Sequence, residues 1–507
     1  MWKRERVSTS EFKYEFSDIS GNLQFNISHL KEIFKNNENL KIRTFESSGE
    51  KPYKCAVLYM EGLSDFQIVS ERFIRGIMST IPKNPADPIK DIYAHMSCEC
   101  DLTIETSEEK LINALTVGDS VLFTDGCKKA IVANTKGWTS RAVNEPENEK
   151  VLRGPRDGFN EKINDSVSLL QRRLCTPDFK VKYLNCGRNS NTRVAICYLE
   201  AVAKKETVES IIMKIKEIDI DGILDSNYIS ELISDKKFSP FKTIGATERP
   251  DVAAARILEG RIAIIVNGSP VALTIPYLFI ENFQSSDDYY INYISATAGR
   301  FLRIISFILA ISIPAIYVAL VTVHKEMMPT NLALSIISAR SSVPFPVIIE
   351  ALGLIIVFEI IRETALRMPS NVSQAFSIVG AIVIGDSAVK AKFVSVPIVI
   401  IVSLSALTGL MIPRIRAAVF FYRILLVLLA GYLGLYGYIF GVILMTVQLL
   451  DTKSFGINYT AYVTVPDFKN QNDIYLRLPW NFMIKRPWGL SENRFRQKRI
   501  RGKSEDE

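Results

Sequence analysis

The chain has 507 residues, 48% of them hydrophobic and 23% charged, with a net charge of 61 − 54 = +7. This apolar content excludes intrinsic disorder, 26 glycines exclude a collagen-like chain, and seven cysteines are too few for a disulfide-stapled one. The positive balance is mild for the length and gives no reason to expect a nucleic-acid partner.

Taken in order, residues 1–40 read as a polar N-terminal extension carrying a short helix. Residues 41–142 read as a first α/β subdomain. Ala56–Met60 has the composition of a buried strand, and 64–80 has helical apolar spacing. Ser120–Phe123 followed by Asp125-Gly126 predicts a strand turning into a hairpin, with 130–135 as its partner. Val143–Lys150 is acidic and polar and reads as a linker. A second α/β subdomain over 151–297 repeats the theme. It has a strand at Val194–Leu199, an amphipathic helix at 205–217 and a strand at Ile262–Val266. The Asn267-Gly268 turn leads into a further strand at Pro270–Pro276. The start of the chain is charged, with no apolar stretch of a signal peptide, and all cysteines lie in this first part, so a cytosolic head with free thiols is expected. Cys98-x-Cys100 has no second pair at zinc spacing, and neither metal nor cofactor is expected.

Beyond residue 297 the pattern changes. Ile304–Val323 carries no charged side chain, Val343–Phe358 carries only Glu350, and Met368–Gly385, Phe393–Ile412 and Ile424–Leu450 carry none. A spanning helix needs about 20 apolar residues. The expectation is a polytopic helical membrane domain over 298–452, followed by a basic cytosolic tail over 453–507. Both termini inside require an even number of spans. Six is one solution. Four is the other, with 371–392 as a re-entrant hairpin and 417–450 as one net crossing. Pro314 is expected to free a backbone carbonyl inside the first span. Trp480 and Trp488 suit a membrane interface, and the tail suits anionic lipid.

Several residues stand out chemically. Charges inside apolar runs face a partner, a bundle interior or a water path. The pore or gating candidates are therefore Glu350, Glu359, Arg362, Glu363, Asp386 and Lys390. Glu359 and Arg362 are three apart and can pair; Asp386 and Lys390 are four apart and can neutralise each other. Glu350 is about 180° round the helix from Glu359 and must serve a different neighbour. Gly431, Gly434, Gly437 and Gly441 read as one helix-packing face. In the head, Arg153, Arg156, Arg172 and Arg173, with Asp157, form a candidate anion or intersubunit contact. The three histidines are far apart, and the chain has no nucleophile constellation and no phosphate-cradling loop. An enzyme is not expected.

The motifs also carry a resemblance. The Arg153–Phe159 loop with Leu169–Arg173, Ile218–Ser226, Phe238-Ser239-Pro240-Phe241, Thr247–Asp251 and Phe283-Gln284 with Asp288-Tyr289-Tyr290 occur in this order. They are followed by His324–Thr330, Val343–Pro346 with Glu350-Ala351, Ile378–Gly385, Lys453–Gly456 and Arg477–Trp480. The sequence resembles the A subunits of the GerA family of nutrient germinant receptors of endospore-forming bacteria, over about residues 55–490. The resemblance implies a cytosolic two-subdomain head and a membrane domain in the spore inner membrane. It also implies a transporter-like B subunit and a C-subunit lipoprotein as partners. The A subunit would form a homo-oligomer, a pentamer, acting as a nutrient-gated channel for monovalent cations. A secondary transporter and a non-conducting signalling scaffold are the alternatives. Asp386 stands where family members often have Gln, and Gly353-Leu354 where they often have Met-Glu.

Overall fold

The computed structural model describes residues 18–48, 52–80, 88–97, 101–137, 145–368, 385–464, 473–487, 489–493 and 495–496. Cys98, Cys100, Trp488, the stretch 369–384 and the whole run after Arg496 lie outside them. The chain folds as two compact units. One gathers 1–234, 244–276 and 486–495; the other gathers 235–243, 277–485 and 496–507.

The first unit holds two five-stranded antiparallel sheets. The first subdomain runs α1 (Leu23–Ile33), β1 (Leu40–Glu46), β2 (Lys54–Met60), a π-helical turn (Ile68–Ile74) into α2 (Arg75–Ser79), α3 (Pro88–Met96), β3 (Leu102–Glu105), α4 (Glu108–Val117), β4 (Ser120–Thr124) and β5 (Ala130–Ala133). The second runs α5 (Ile163–Gln171), β6 (Phe179–Cys186), β7 (Thr192–Leu199), α6 (Lys205–Lys216), α7 (Ser226–Ile233), β8 (Gly245–Thr247), α8 (Pro250–Leu258), β9 (Ile262–Val266) and β10 (Ala272–Ile275). The strand orders are β1-β2-β4-β5-β3 and β6-β7-β9-β10-β8. Renumbered from their own starts, the two sheets have the same order. The head is a structural duplication.

Buried apolar runs explain the central strands. Ala56–Met60 and Val194–Leu199 are buried throughout, and each sheet is covered by helices. The Asp125-Gly126 and Asn267-Gly268 turns both use a glycine at positive φ, +82° and +89°. The expectation of a polar extension over 1–40 is corrected. From Ile19 onward the segment is core, because Leu23, Ile27, Leu30, Ile33 and Phe34 pack under the first sheet. Asn22 caps α1 by accepting from the amides of Gln24 and Phe25. The 145–150 linker is pinned as well: Glu149 accepts from Thr247 Oγ1 and the Glu248 amide.

One seam joins the two sheets. Lys180, buried on β6, donates to the Ile33 carbonyl at 2.9 Å, at the C-terminal end of α1, and lies 3.4 Å from Glu200. Asn37 donates to the Phe179 carbonyl, and the Glu38 amide to that of Val181. Burial lowers the Lys180 pKa, with Glu200 and Asp178 opposing. The basic tail expected over 453–507 is partly folded. Residues 486–495 fold onto this unit, where the Glu492 amide bonds the Val202 carbonyl and Leu490 is buried. Gly260, at φ +97°, permits it, since a Cβ there would lie 2.8 Å from that of Ser491.

The second unit is helical: α9 (Tyr293–Thr322), α10 (Thr330–Arg340), α11 (Val347–Arg367), a helical stretch over 385–390 (α12), α13 (Val396–Leu410), α14 (Arg416–Leu433) and α15 (Leu435–Asp451). A two-strand hairpin (β11, Lys453–Ser454; β12, Ile457–Asn458) and α16 (Ala461–Thr464) follow. Tyr293–Thr322 and Pro413–Leu433 are long and apolar enough to cross a bilayer; Val396–Leu410 and Leu435–Asp451 are shorter apolar helices.

The uncharged run 424–450 is two helices, not one. Gly434, at φ +65° and ψ −143°, stops α14 and starts α15. The two then return antiparallel, with Gly441 against Leu426, Gly437 against Leu429, and the Tyr422 hydroxyl donating to Gln448. The four glycines therefore do not share one helix face. Gly431 faces Ile348 of α11, Gly434 makes the turn beside His324, and Gly437 and Gly441 close the hairpin.

Candidate functional site

Polar side chains inside the helical unit define the candidate site. It has a near end, where α9 begins, and a far end, where α9 stops. At the near end Arg300 is buried among Asp288 (Nε–Oδ2 3.0 Å), Asp473 (Nη2–Oδ1 3.0 Å) and the Asp473 carbonyl (2.8 Å). Arg303 also reaches Asp288, and the Tyr289 hydroxyl donates to Asp473 at 2.9 Å. Arg477 lies over the rings of Tyr289 and Trp480. The Asp288-Tyr289-Tyr290 and Arg477–Trp480 motifs, nearly 190 residues apart, are thus one construction.

A second network joins α11 to α14. Glu359 Oε1 accepts from Arg362 on its own helix and from Arg416 at 2.9 Å. Arg416 also reaches Glu363 at 3.1 Å, and Glu363 pairs with Arg367 at 2.8 Å. The predicted pairing of Glu359 with Arg362 is present, and Glu359 and Glu363, four apart, share one partner.

Glu350 serves a different neighbour, as its angular position requires, and does so at the far end. It is buried in the first turn of α11, with Arg340 on Oε1 at 2.9 Å, and the Ser395 amide and hydroxyl on Oε2 at 3.1 and 2.9 Å. Asp386 pairs with Lys390 at 2.6 Å, both well exposed. Each acidic pore candidate is therefore neutralised within its own chain.

Between the ends lies a knot that the sequence only half disclosed. Pro314 has no N–H, so the Ala310 carbonyl loses its donor four residues on. That carbonyl instead accepts from Ser405 Oγ at 2.7 Å and Arg423 Nε at 2.9 Å. Arg423 Nη2 donates to the Ser405 carbonyl at 3.1 Å. One freed carbonyl thereby ties α9, α13 and α14. Arg423 is buried, and no carboxylate lies at ion-pair distance from it among the described residues. Sequence reasoning missed it because Arg423 borders the uncharged run; Pro314 was the available signal.

The head cluster comes together only in part. Asp157 pairs with Arg173, Arg156 lies 3.9 Å from Glu145 at the surface, and Arg153 and Arg172 are exposed. The arginine that organises this loop is Arg249. It is fully buried, pairs with Asp251 at 2.7 Å and donates to the Pro155 carbonyl at 2.8 Å. The Phe159 amide bonds the Glu248 carbonyl at 2.8 Å. The Arg153–Phe159 and Thr247–Asp251 motifs hold each other.

A duplicated α/β unit in the same chain as a helical unit with an apolar outside and arginine–carboxylate pairs inside is the pattern of a membrane-associated protein. The sequence matches the Bacillus/Clostridium GerA spore germination protein family over residues 28–488, and the chain belongs to that family. It is similar to spore germination protein KA of Bacillus subtilis, 36% identical over 482 residues, covering 94% of this chain and 89% of that one. It is also similar to spore germination protein GerLA of Bacillus cereus, 34% identical, covering 93% and 96%. Among solved structures, the N-terminal domain of the A subunit of the Bacillus megaterium spore germinant receptor GerK3 is 29% identical. It covers 52% of this chain and 99% of that one, with a TM-score of 0.42.

Proposed function

We propose that the protein is the A subunit of a spore germinant receptor. In this reading it lies in the spore inner membrane with its head in the cytosol. It assembles with a transporter-like B subunit and a C-subunit lipoprotein, and oligomerises, as a pentamer, into a nutrient-gated channel for monovalent cations. Its work is conduction and signalling, not catalysis.

One observation carries the reading. The acids that could line a cation path are paired inside the chain, and the bundle interior holds the guanidinium of Arg423. A cation would be repelled there. The outer surface, by contrast, is apolar and unpartnered, with Ile356, Ile360, Leu407, Ile439 and Ile443 about half exposed or more. This supports conduction between copies, not through one copy, and so favours an oligomeric channel over a monomeric transporter.

In this reading the chain makes six passes. α11 finishes at the near end and α13 starts at the far end beside Glu350, and a pass joining them is part of the proposal. α14 and α15 add a pass each, and residues 486–495 rejoin the unit that precedes α9. An even count keeps both flanks on one side. The near end carries Arg300, Arg303, Arg362, Arg367, Arg414 and Arg416, consistent with a cytosolic face.

The test is to measure mass and cation permeability of the purified chain in liposomes, alone and with the partner subunits and nutrient. A closed oligomer whose flux rises on nutrient addition is the expected result. A monomer without flux would leave this chain as a scaffold and move conduction to the partner.

A further inference from the structure

The segment Asp235–Thr243 lies between two elements of the α/β unit in sequence, yet it packs with the helical unit. Its anchors are specific. Phe241 is buried, stacks on Tyr422 at 5.5 Å and meets Phe279 edge-on at 6.1 Å. Asp235 accepts from the Phe455 amide at 2.7 Å, the Thr243 carbonyl accepts from Ser454 Oγ at 2.7 Å, and Lys236 pairs with Asp451, the last residue of α15.

A loop held this firmly would be expected to tuck in its other aromatic. Instead Phe238 is 99% exposed. Lys237 and Lys242 on either side of it are exposed, and neither has an ionic partner among the described residues. Lys453, just past α15, is exposed as well. The last turn of α15 presents Val447 and Leu450 outward, so the apolar outer surface ends where this loop is fastened.

We propose that 235–243 is an anionic-lipid anchor. Phe238 enters the interfacial layer, and Lys237 and Lys242 hold phosphate-bearing headgroups at the edge of the apolar belt. An aromatic side chain at the interface and lysines at the headgroup level are what that layer favours. Water covers a rigidly presented phenylalanine poorly, and the free lysines match an anionic surface. This rests on the membrane reading above.

The test uses the full chain in nanodiscs. Phe238→Trp adds an indole to the loop, and Phe440→Trp adds one to the outward face of α15. Emission of each variant, after subtraction of the parent's four native tryptophans, is compared in brominated phosphatidylglycerol, in brominated phosphatidylcholine and with aqueous acrylamide. Brominated lipid should quench the indole of F238W, more strongly with phosphatidylglycerol, while acrylamide has little effect. The phosphatidylglycerol fraction needed for half-quenching should rise about fivefold for each lysine removed in K237Q and K242Q on the F238W background. Native mass spectrometry of the lysine variants without F238W should show the matching loss of retained anionic lipid.

An F238W signal untouched by brominated lipid, while F440W is quenched, overturns the anchor and leaves the membrane reading standing. Equal quenching by both lipids also overturns it, since the lysines would then select nothing. If F440W too is untouched, the membrane reading fails.

Discussion

The two units of this chain solve opposite solvent problems. In the α/β unit the strands are buried and apolar, and most charges point out, as in Ala56–Met60 against the exposed Arg188–Asp219 pair. In the helical unit Arg300, Arg423 and Glu350 are inside, while Ile400, Phe421 and Tyr436 face out. Burying a charge is costly unless it is paired, so an inside-out arrangement persists only where the outside is not water. The difference also shows in what each buried charge does. Lys180 seals a seam between two sheets; Arg300 joins the start of α9 to Asp473, after the last apolar helix.

Substitutions can break or sharpen this contrast. The largest effect is expected for Arg300→Ala, which removes the guanidinium shared by Asp473 and Asp288 inside the bundle. It should lose about 3–5 kcal/mol by thermal unfolding in detergent. Lys180→Met leaves the Ile33 carbonyl without its donor and should cost about 1–3 kcal/mol. Its signature is faster amide exchange along β6 and the C-terminal end of α1, with the helical unit unaffected.

Asp225 caps α7, accepting from the Asn227 amide and Ser269 Oγ. Burial pushes its pKa up, but hydrogen bonds from Ser269, Asn227 and Ser226 outweigh that and hold it below the usual range. A depressed carboxyl stabilises above its unfolded pKa of about 4, and that contribution is lost as pH falls through the folded value. Asp225→Ala should cost about 1 kcal/mol at neutral pH and less below pH about 4, read from melting temperature against pH.

Arg423→Met sharpens the contrast from the other side. The lost guanidinium has no carboxylate to strand, and Ser405 still serves the Ala310 carbonyl, so stability should stay within about 1 kcal/mol of the parent. A loss as large as that of Arg300→Ala would mean that a hidden counter-charge exists. Asp386→Asn should be the smallest change, with no measurable shift in melting temperature, because its pair with Lys390 is well exposed.

Much of this was legible in the residues. Periodicity and turn signals located β2, β4, β7, β9 and the two glycine hairpins. The uncharged runs located the helical unit, and spacing gave the Glu359–Arg362 and Asp386–Lys390 pairs. Strands β3 and β8 escaped because they are short; β1 and β6 carry an apolar–charged alternation, Leu40-Lys41-Ile42-Arg43 and Phe179-Lys180-Val181-Lys182, that was present in the sequence but not used. Two similar α/β subdomains were legible, but their shared strand order was not, because strand order is set by pairing across sequence and leaves no fixed-period repeat.

The sequence by itself determined the composition of each layer. Apolar runs must leave water, a proline must free a carbonyl, and charges three or four apart on a helix can meet. Tertiary structure alone decided the partners. That Glu350 meets Arg340 and Ser395, that Arg423 fills the gap opened by Pro314, and that Gly434 folds one apolar run into two helices depends on which helices pack together. Local sequence fixes which groups need a partner, but the supply of partners comes from segments distant in the chain.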